Sequence, residues 1–457
     1  MARLNHWLWQ HWATECPQAI ALYHEDEAMT WAELDERIES LAHGFQQQGV
    51  APGSGVALRG KNSFPLLLAY LAALRCGARV LPLNPQLPDT LLADLLPKIN
   101  ITFFWSEDRS SSFDCVALKH IGASKTDHAM PVWDGARPAT LTLTSASTGL
   151  PKAVAHHLNA HLENAKGVLA VMHYAKTDCW LLSLPLFHVS GQGIVWRWLA
   201  QGTIIAVRAS RSLAHALRGC THASLVPTQL IRLLDESLDD LRLKEVLLGG
   251  AMIPAPLVRR AREANIICWC GYGLTEMAST VCAKRADESS SVGSPLPGRE
   301  IKIVEEEILL RGAGMALGYW RDDGIQPITD SDGWLHTRDR GIFERGELRI
   351  LGRLDNLFFS GGEGIQPEDI ERVLLRHPDI SQAFIVPIAD HEFGHRPVAV
   401  LEKDESVSLD AIRAWLRDKV ARFQQPVTYY TLPEKLKTGA IKISRAAVQQ
   451  WVENQQD

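Results

Sequence analysis

A strand-length apolar run, a helical stretch closed by glycine and a second apolar run succeed one another early in this chain. That order narrows the fold more than any other feature. Val56-Ala57-Leu58 and Val80-Leu81-Pro82-Leu83 have the length and apolarity of short buried strands, and Pro65 to Cys76 between them reads as a helix ended by Gly77. Strand, helix, strand predicts a parallel sheet with helices on its faces. Just upstream, Thr30 and Glu33 form a capping box, and Leu34, Ile38, Leu41 and Phe45 recur at helical spacing, so residues 30–49 read as a helix stopped by Gly49. At 457 residues the chain exceeds one ordinary core, and at least two domains are expected.

The same rhythm continues through a helix at 158–172 and short apolar runs at Leu181–Leu184, Ala223–Val226 and Val246–Leu248. From about residue 290 it changes. Ile301–Val304, Ile308–Leu310 and Leu348–Leu351 are short alternating segments separated by Gly and charges, as in an antiparallel, barrel-like subdomain. Beyond Gly352 come a helix (368–376), strands (382–388, 397–401) and a helix (408–421), enough for a small α+β domain. The fold class expected is α/β: a large N-terminal domain of parallel sheets with flanking helices and a barrel-like β subdomain, followed by a small α+β domain.

Charge and composition exclude several functions. A net charge of -6 gives no footprint for nucleic acid or for an anionic membrane. The longest apolar run, Phe64 to Leu74, is too short for membrane insertion. His6, His11 and Glu15 interrupt any candidate signal-peptide core, so a cytoplasmic protein is expected. The eight cysteines are scattered, and Cys268-Trp269-Cys270 fits neither a zinc knuckle nor a C-x-x-C redox site, which leaves buried reduced thiols.

One stretch carries chemistry openly: Leu143-Thr144-Ser145-Ala146-Ser147-Thr148-Gly149-Leu150-Pro151-Lys152. Small residues let the backbone turn tightly and present N–H groups, hydroxyls add donors, and Lys152 adds a positive charge, a set suited to polyphosphate. Lys152 is preceded by Pro and followed by Ala, which excludes the G-x-x-x-x-G-K-[ST] loop, and no G-x-G-x-x-G occurs. The stretch resembles the phosphate-binding loop of the adenylate-forming superfamily of acyl-CoA ligases, adenylation domains and luciferases, roughly T-S-G-T-T-G-x-P-K. Ala146 stands in place of a customary Gly. The resemblance implies that Thr144, Ser145, Ser147, Thr148, Gly149 and Lys152 bind ATP, with Lys152 at its β- and γ-phosphates.

Four further stretches match the superfamily in order. Gly271-Tyr272-Gly273-Leu274-Thr275-Glu276 resembles its Y-G-x-T-E element, which implies Tyr272 beside adenine, Thr275 at the α-phosphate and Glu276 holding Mg2+. Gly249-Gly250-Ala251 offers a place where a ligand can approach the backbone closely. Asp332-Gly333-Trp334 followed by Thr337-Arg338-Asp339 resembles G-W-x-x-T-G-D, whose Asp, here Asp339, grips the ribose hydroxyls; Arg338 replaces the usual Gly. Gly352-Arg353-Leu354-Asp355-Asn356 resembles G-R-x-D-D, which implies Arg353 at the nucleotide and Asp355 as a hinge, with Asn356 replacing the second Asp. Lys442-Ile443-Ser444-Arg445 resembles the end of G-K-I-x-R and makes Lys442 the catalytic lysine, with Lys437 the alternative because Ile441 replaces the Gly. Gly361 and Gly362 then fall where the superfamily lines its channel for the CoA thiol. On this resemblance residues 1–352 form the adenylation domain, with the barrel-like part at about 290–352, and residues 353–457 form a mobile lid.

Phe187-His188-Val189-Ser190-Gly191-Gln192-Gly193-Ile194-Val195-Trp196-Arg197-Trp198 sets one cation among large aromatics. Arg197 can clamp a carboxylate bidentately and the tryptophans can wall a flat ring, which suggests an aromatic acid with a second carboxylate. The competing reading is a helix whose Arg points to solvent. This segment, Gly361 to Ile370 and Phe393 to Val400 resemble the 2-succinylbenzoate–CoA ligase family of bacterial menaquinone synthesis. The resemblance implies His188, Ser190, Gln192, Arg197, Ser279 and Thr280 around the acyl substrate, with His188 also facing the thiol channel. ATP, CoA and an aromatic dicarboxylate are the small-molecule partners implied. Another aryl- or acyl-CoA ligase, a stand-alone adenylation enzyme and a non-catalytic nucleotide-binding relative stay open, as does a homo-oligomer.

Overall fold

The first strand–helix–strand unit forms as its sequence dictates. In a computed structural model, Gly55–Arg59 and Arg79–Leu83 pair in parallel, with the helix Phe64–Arg75 between them in the chain. The structure describes residues 6–107, 113–123, 129–144, 150–209, 212–322, 324–437 and 443–455. Ser145, Ala146, Ser147, Thr148, Gly149, Ile441 and Lys442 therefore lie outside the described residues. Ser63 caps the helix through the N–H of Leu66, and Leu66 to Leu74 are buried throughout, as expected for core. No described helix is long and apolar enough to cross a membrane.

Two large sheets carry the site. In a nine-stranded sheet, Ile20–His24, Ile204–Val207, Cys179–Leu181, His222–Leu225, Glu245–Leu248 and Ile267–Leu274 lie side by side in parallel. Beyond them Ser279–Arg285 returns antiparallel to Ile267–Leu274. An eight-stranded sheet holds the parallel unit above and the antiparallel hairpin Pro138–Thr144/Lys152–His157. The helices Leu158–Leu169 and Val189–Gln201 bury their apolar faces in the same hydrophobic cluster. Gly202 ends the second helix at φ +66, where a Cβ would run into the ring of Trp12 at 2.4 Å, so only glycine fits.

The alternating segments after residue 290 form a four-stranded antiparallel sheet of Arg299–Val304, Glu307–Gly312, Leu335–Glu344 and Glu347–Arg353. Two strands from the same stretch, Gly318–Arg321 and Gly324–Gln326, instead extend the eight-stranded sheet. The C-terminal segment builds its own sheet around the long hairpin Ile380–Asp390/Gly394–Lys403, against which Pro367–Leu374 and Arg445–Glu453 pack. All eight cysteines carry free thiols; Cys16 and Cys115 are partly exposed and the other six are buried. Burial pushes the Cys76, Cys268 and Cys282 thiols up to about 12.

Candidate active site

The pairing Thr144↔Lys152 closes the hairpin whose connection is the polyphosphate-type loop. Lys152 is exposed, and its ammonium stands 4.8 Å over the ring of Tyr319. The Tyr319 hydroxyl in turn donates to Oε1 of Glu276 at 3.1 Å. Two residues far apart in sequence thus meet through a tyrosine on a neighbouring strand.

Glu276 sits in the turn Thr275–Met277 that joins Ile267–Leu274 to Ser279–Arg285. Upstream of that turn, a Cβ on Gly249 would come within 3.7 Å of the Gly271 carbonyl oxygen, and Gly250 takes φ +81, so two small-residue segments lie together and leave backbone accessible. A Cβ on Gly273 would stand 1.9 Å from the Ser279 carbonyl, so the hairpin closes only with glycine there. Tyr272 is anchored by its far end: its hydroxyl donates to Asp339 Oδ2 at 2.7 Å. Burial first, and the Asp339 charge second, hold its phenol well above the usual pKa. Arg353 donates to the other oxygen of Asp339 at 3.0 Å and reaches Asp355 at 3.3 Å.

Arg338 shows why glycine is customary at its position. Its φ of +62 is left-handed, a conformation costly for a side chain. Its guanidinium offsets the cost by donating twice to Asp355 Oδ1, at 3.2 and 3.0 Å, and its N–H donates to Glu307. Asn356 reverses the hydrogen-bonding sense of the Asp it replaces: its amide donates to Glu368 at 2.5 Å, a bond that an ionised carboxylate could not make.

Arg197 does not point to solvent. It lies on Val189–Gln201 with 1% of its surface exposed, its guanidinium 4.8 Å from the Trp180 ring centre. Nη1 donates to Ser224 Oγ at a long 3.3 Å, and Nε has no partner. A Cβ on Gly193 would stand 2.9 Å from its Nη2 and 3.6 Å from Ser279 Oγ, which places Gly193, Ser224 and Ser279 around one end of the group. No carboxylate among the described residues pairs with it. Burial pulls its pKa down to about 10, so it stays protonated at neutral pH as a buried cation lacking its anion.

The tryptophans on either side do not wall a pocket, contrary to expectation. Successive helix positions diverge by about 100°, so three consecutive residues face three directions. Trp196 stacks on His161 (5.3 Å, 6°) and donates to Tyr70; Trp198 stacks on Trp31 and donates to Ala21. Trp180 is the aromatic that meets Arg197. Gln192 is fully buried; its Nε2 donates to Thr142 Oγ1 and to the Leu186 carbonyl, and its Oε1 has no partner. His188 precedes the helix beside Phe187, open at its edge but flanked closely enough that burial lowers its imidazole pKa. Ser190 opens the helix half-buried, and Ser279 and Thr280 are buried at the start of their strand.

In the C-terminal segment Gly361 and Gly362 take φ +58 and +85 in succession and are exposed. Lys437 is engaged by Glu434 at 2.7 Å and Glu402 at 3.1 Å, which leaves it poorly suited to replace Lys442. Arg445 is clamped by both oxygens of Glu371, at 2.6 and 2.8 Å, and so anchors the final helix.

Among the described residues no group of three or more His, Cys, Asp or Glu gathers to hold a metal. A lone carboxylate such as Glu276 is nevertheless the donor set expected for Mg2+, which keeps water and binds through one or two carboxylates plus substrate phosphates. Sequence reading missed Tyr319, Trp180, Ser224, His156 and Asn164. Only Trp180, immediately before the run Leu181–Leu184, had a local signal as a residue at a strand end.

The chain is similar to known proteins over nearly its whole length. The family model described as AMP-binding enzyme matches residues 9–320, and that described as AMP-binding enzyme C-terminal domain matches residues 369–442. The chain is 56% identical to the 2-succinylbenzoate–CoA ligase of Escherichia coli K12 over 98% of this chain and 99% of that protein. It is 46% identical to the Haemophilus influenzae protein of the same name, over 94% of each. A solved E. coli MenE variant with bound OSB-AMS superposes with a TM-score of 0.94 at 53% identity, covering 100% of both chains. The Bacillus subtilis o-succinylbenzoate coenzyme A synthetase in complex with ATP and magnesium ion gives a TM-score of 0.82 at 27% identity, over 93% of this chain and 95% of that one.

Proposed function

The chain belongs to the family of AMP-binding enzymes, and from that premise we propose that it joins 2-succinylbenzoate to coenzyme A through an acyl-adenylate in menaquinone synthesis. The observation that carries the substrate is Arg197, a fully buried cation with no carboxylate partner among the described residues. The ring carboxylate of 2-succinylbenzoate supplies that partner and leaves the succinyl carboxylate free to react. Ser224, Ser279 and Thr280 complete the polar end of the acyl pocket, with Ser190 and His188 nearer its mouth.

In the first step a succinyl carboxylate oxygen attacks the α-phosphorus of ATP. The bond to the bridging oxygen breaks, and pyrophosphate leaves with the electron pair. Charge grows on the α-phosphate and the leaving group, so fixed cations and N–H donors stabilise the transition state. Lys152 and the loop of Thr144, Ser145, Ser147, Thr148 and Gly149 receive the β- and γ-phosphates; Thr275 and Lys442 meet the α-phosphate. Glu276 holds Mg2+, which neutralises phosphate charge when bound. Adenine lies against Tyr272 and the backbone of Gly249, Gly250, Ala251, Gly271 and Gly273, and Asp339 with Arg353 receives the ribose.

In the second step the CoA thiolate attacks the acyl carbonyl and AMP departs as leaving group. Residues 353–457 act as a lid that turns about Asp355 between the steps, withdrawing Lys442 and bringing Gly361 and Gly362 to line the thiol path past His188. The reaction needs only soluble substrates, in keeping with a cytoplasmic enzyme. Pyrophosphate release from ATP, without CoA, across a panel of acids tests the first step. Release driven by 2-succinylbenzoate above the other acids is expected; release driven only by a monocarboxylate would overturn the assignment.

A further inference from the structure

We propose that Asn164 is a positioning residue for both halves of the adenylation site, an inference that rests on the function proposed above. The connection from Thr275 to Thr280, which joins Ile267–Leu274 to Ser279–Arg285, carries groups for both substrates. Thr275 and Glu276 lie on its phosphate side, Ser279 and Thr280 on its acyl side. Between them Ala278 takes φ +53 and Ser279 φ +118, two successive left-handed residues that are not glycine. Such a backbone persists only when its surroundings over-determine it.

Three groups from outside the turn do so. His156 donates through Nε2 to the Thr275 carbonyl at 2.8 Å, and the Ala316 N–H donates to the Glu276 carbonyl at 2.8 Å. Both hold the phosphate side. Asn164, on Leu158–Leu169 and fully buried, donates through Nδ2 to the Met277 carbonyl at 3.1 Å and to the Thr280 carbonyl at 2.9 Å. Those carbonyls flank the two left-handed residues, so one amide nitrogen ties the phosphate side to the acyl side. Both partners are obligate acceptors, which fixes the amide orientation, and its two N–H groups match two carbonyls.

The geometry separates Asn164 from every other polar residue of the site. Loss of Lys152 weakens only the nucleotide, and loss of Arg197 weakens only the acid. Loss of Asn164 weakens both. The test compares Asn164→Leu and Asn164→Ala with Leu162→Ala, a packing change on the same helix, using thermal melting to confirm folding. Directly measured ATP binding without acid reads the phosphate side; KM for 2-succinylbenzoate and kcat read the acyl side. Either Asn164 variant is expected to weaken ATP binding and raise the acid KM together, with kcat down about 10- to 100-fold, the scale for small misplacements of reacting groups. Leu162→Ala, at matched loss of melting temperature, is expected to move neither affinity. Asn164→Ala gives the same readings if Asn164→Leu does not fold. A folded variant that shifts only one affinity, or neither, overturns the proposal. Wild-type protein inactive on 2-succinylbenzoate would refute the substrate assignment alone, since the ATP comparison still judges Asn164.

Discussion

Replacing Arg197 by Leu separates what this residue does for the substrate from what it costs the fold. Its pKa is pulled down to about 10 by burial, which at about 1.4 kcal/mol per pH unit corresponds to roughly 3 kcal/mol against the charged form. The Trp180 ring returns about 2 kcal/mol, and the long hydrogen bond to Ser224 about 1 kcal/mol. In the free protein the terms nearly cancel, so Arg197→Leu should leave the melting temperature within about 2 °C of wild type. Binding is different. A desolvated, hydrogen-bonded charge pair is worth about 2–5 kcal/mol, so KM for 2-succinylbenzoate should rise about 30-fold or more. With 4-oxo-4-phenylbutanoate, which keeps the reacting carboxylate and lacks the one on the ring, KM should change by less than about threefold on the same reasoning. Steady-state pyrophosphate release with the two acids measures the difference. Equal KM changes for both acids would remove Arg197 from the pocket. A melting temperature lowered by many degrees would refute the balance between burial and the contacts to Trp180 and Ser224.

Three further outcomes follow from the site. Arg338→Gly relieves a left-handed backbone worth about 1 kcal/mol and loses a half-exposed ion pair worth about 0.5 kcal/mol. Urea denaturation should therefore find it as stable as wild type or slightly more so, and a loss above about 1 kcal/mol would contradict that balance. His156 is buried with its pKa lowered to about 4, so the folded protein binds fewer protons than the unfolded chain between there and about 6.5. Its contribution is full above about pH 6.5 and is lost as pH falls toward 4, reaching about 2 kcal/mol at pH 5, and His156→Gln should flatten the stability–pH curve over that range. Lys442→Ala should slow pyrophosphate release about 10²-fold or more, as loss of a preorganised charge donor does. An unchanged rate would return attention to Lys437, despite its pairing with Glu402 and Glu434.

Local chemistry explains what the sequence made legible. The Thr30–Glu33 box caps the helix Trp31–Gln47, and the apolar runs at 56–58 and 80–83 became parallel neighbours, because capping and periodicity act within a few residues. Motif residues with fixed local spacing, such as Tyr272 with Glu276, could be named without a fold. What stayed hidden depends on register between distant strands and on which way a helix turns. Tyr319 reaches Glu276 across 43 residues and Asn164 reaches Met277 across 113, and neither has a mark of its own in the sequence. Trp196, Arg197 and Trp198 show the limit most clearly. Their composition suggested one pocket, whereas helix geometry sends the two tryptophans into the core and leaves Trp180 to meet the guanidinium.

Product mass, read after the protein is mixed with ATP, magnesium, CoA and 2-succinylbenzoate beside a panel of other acids, decides both the reaction and its substrate. A 2-succinylbenzoyl-CoA peak that dominates the panel, with AMP formed in equal amount, is the expected result. Thioester formed only from another acid, or adenylate that accumulates without passing to CoA, would contradict it.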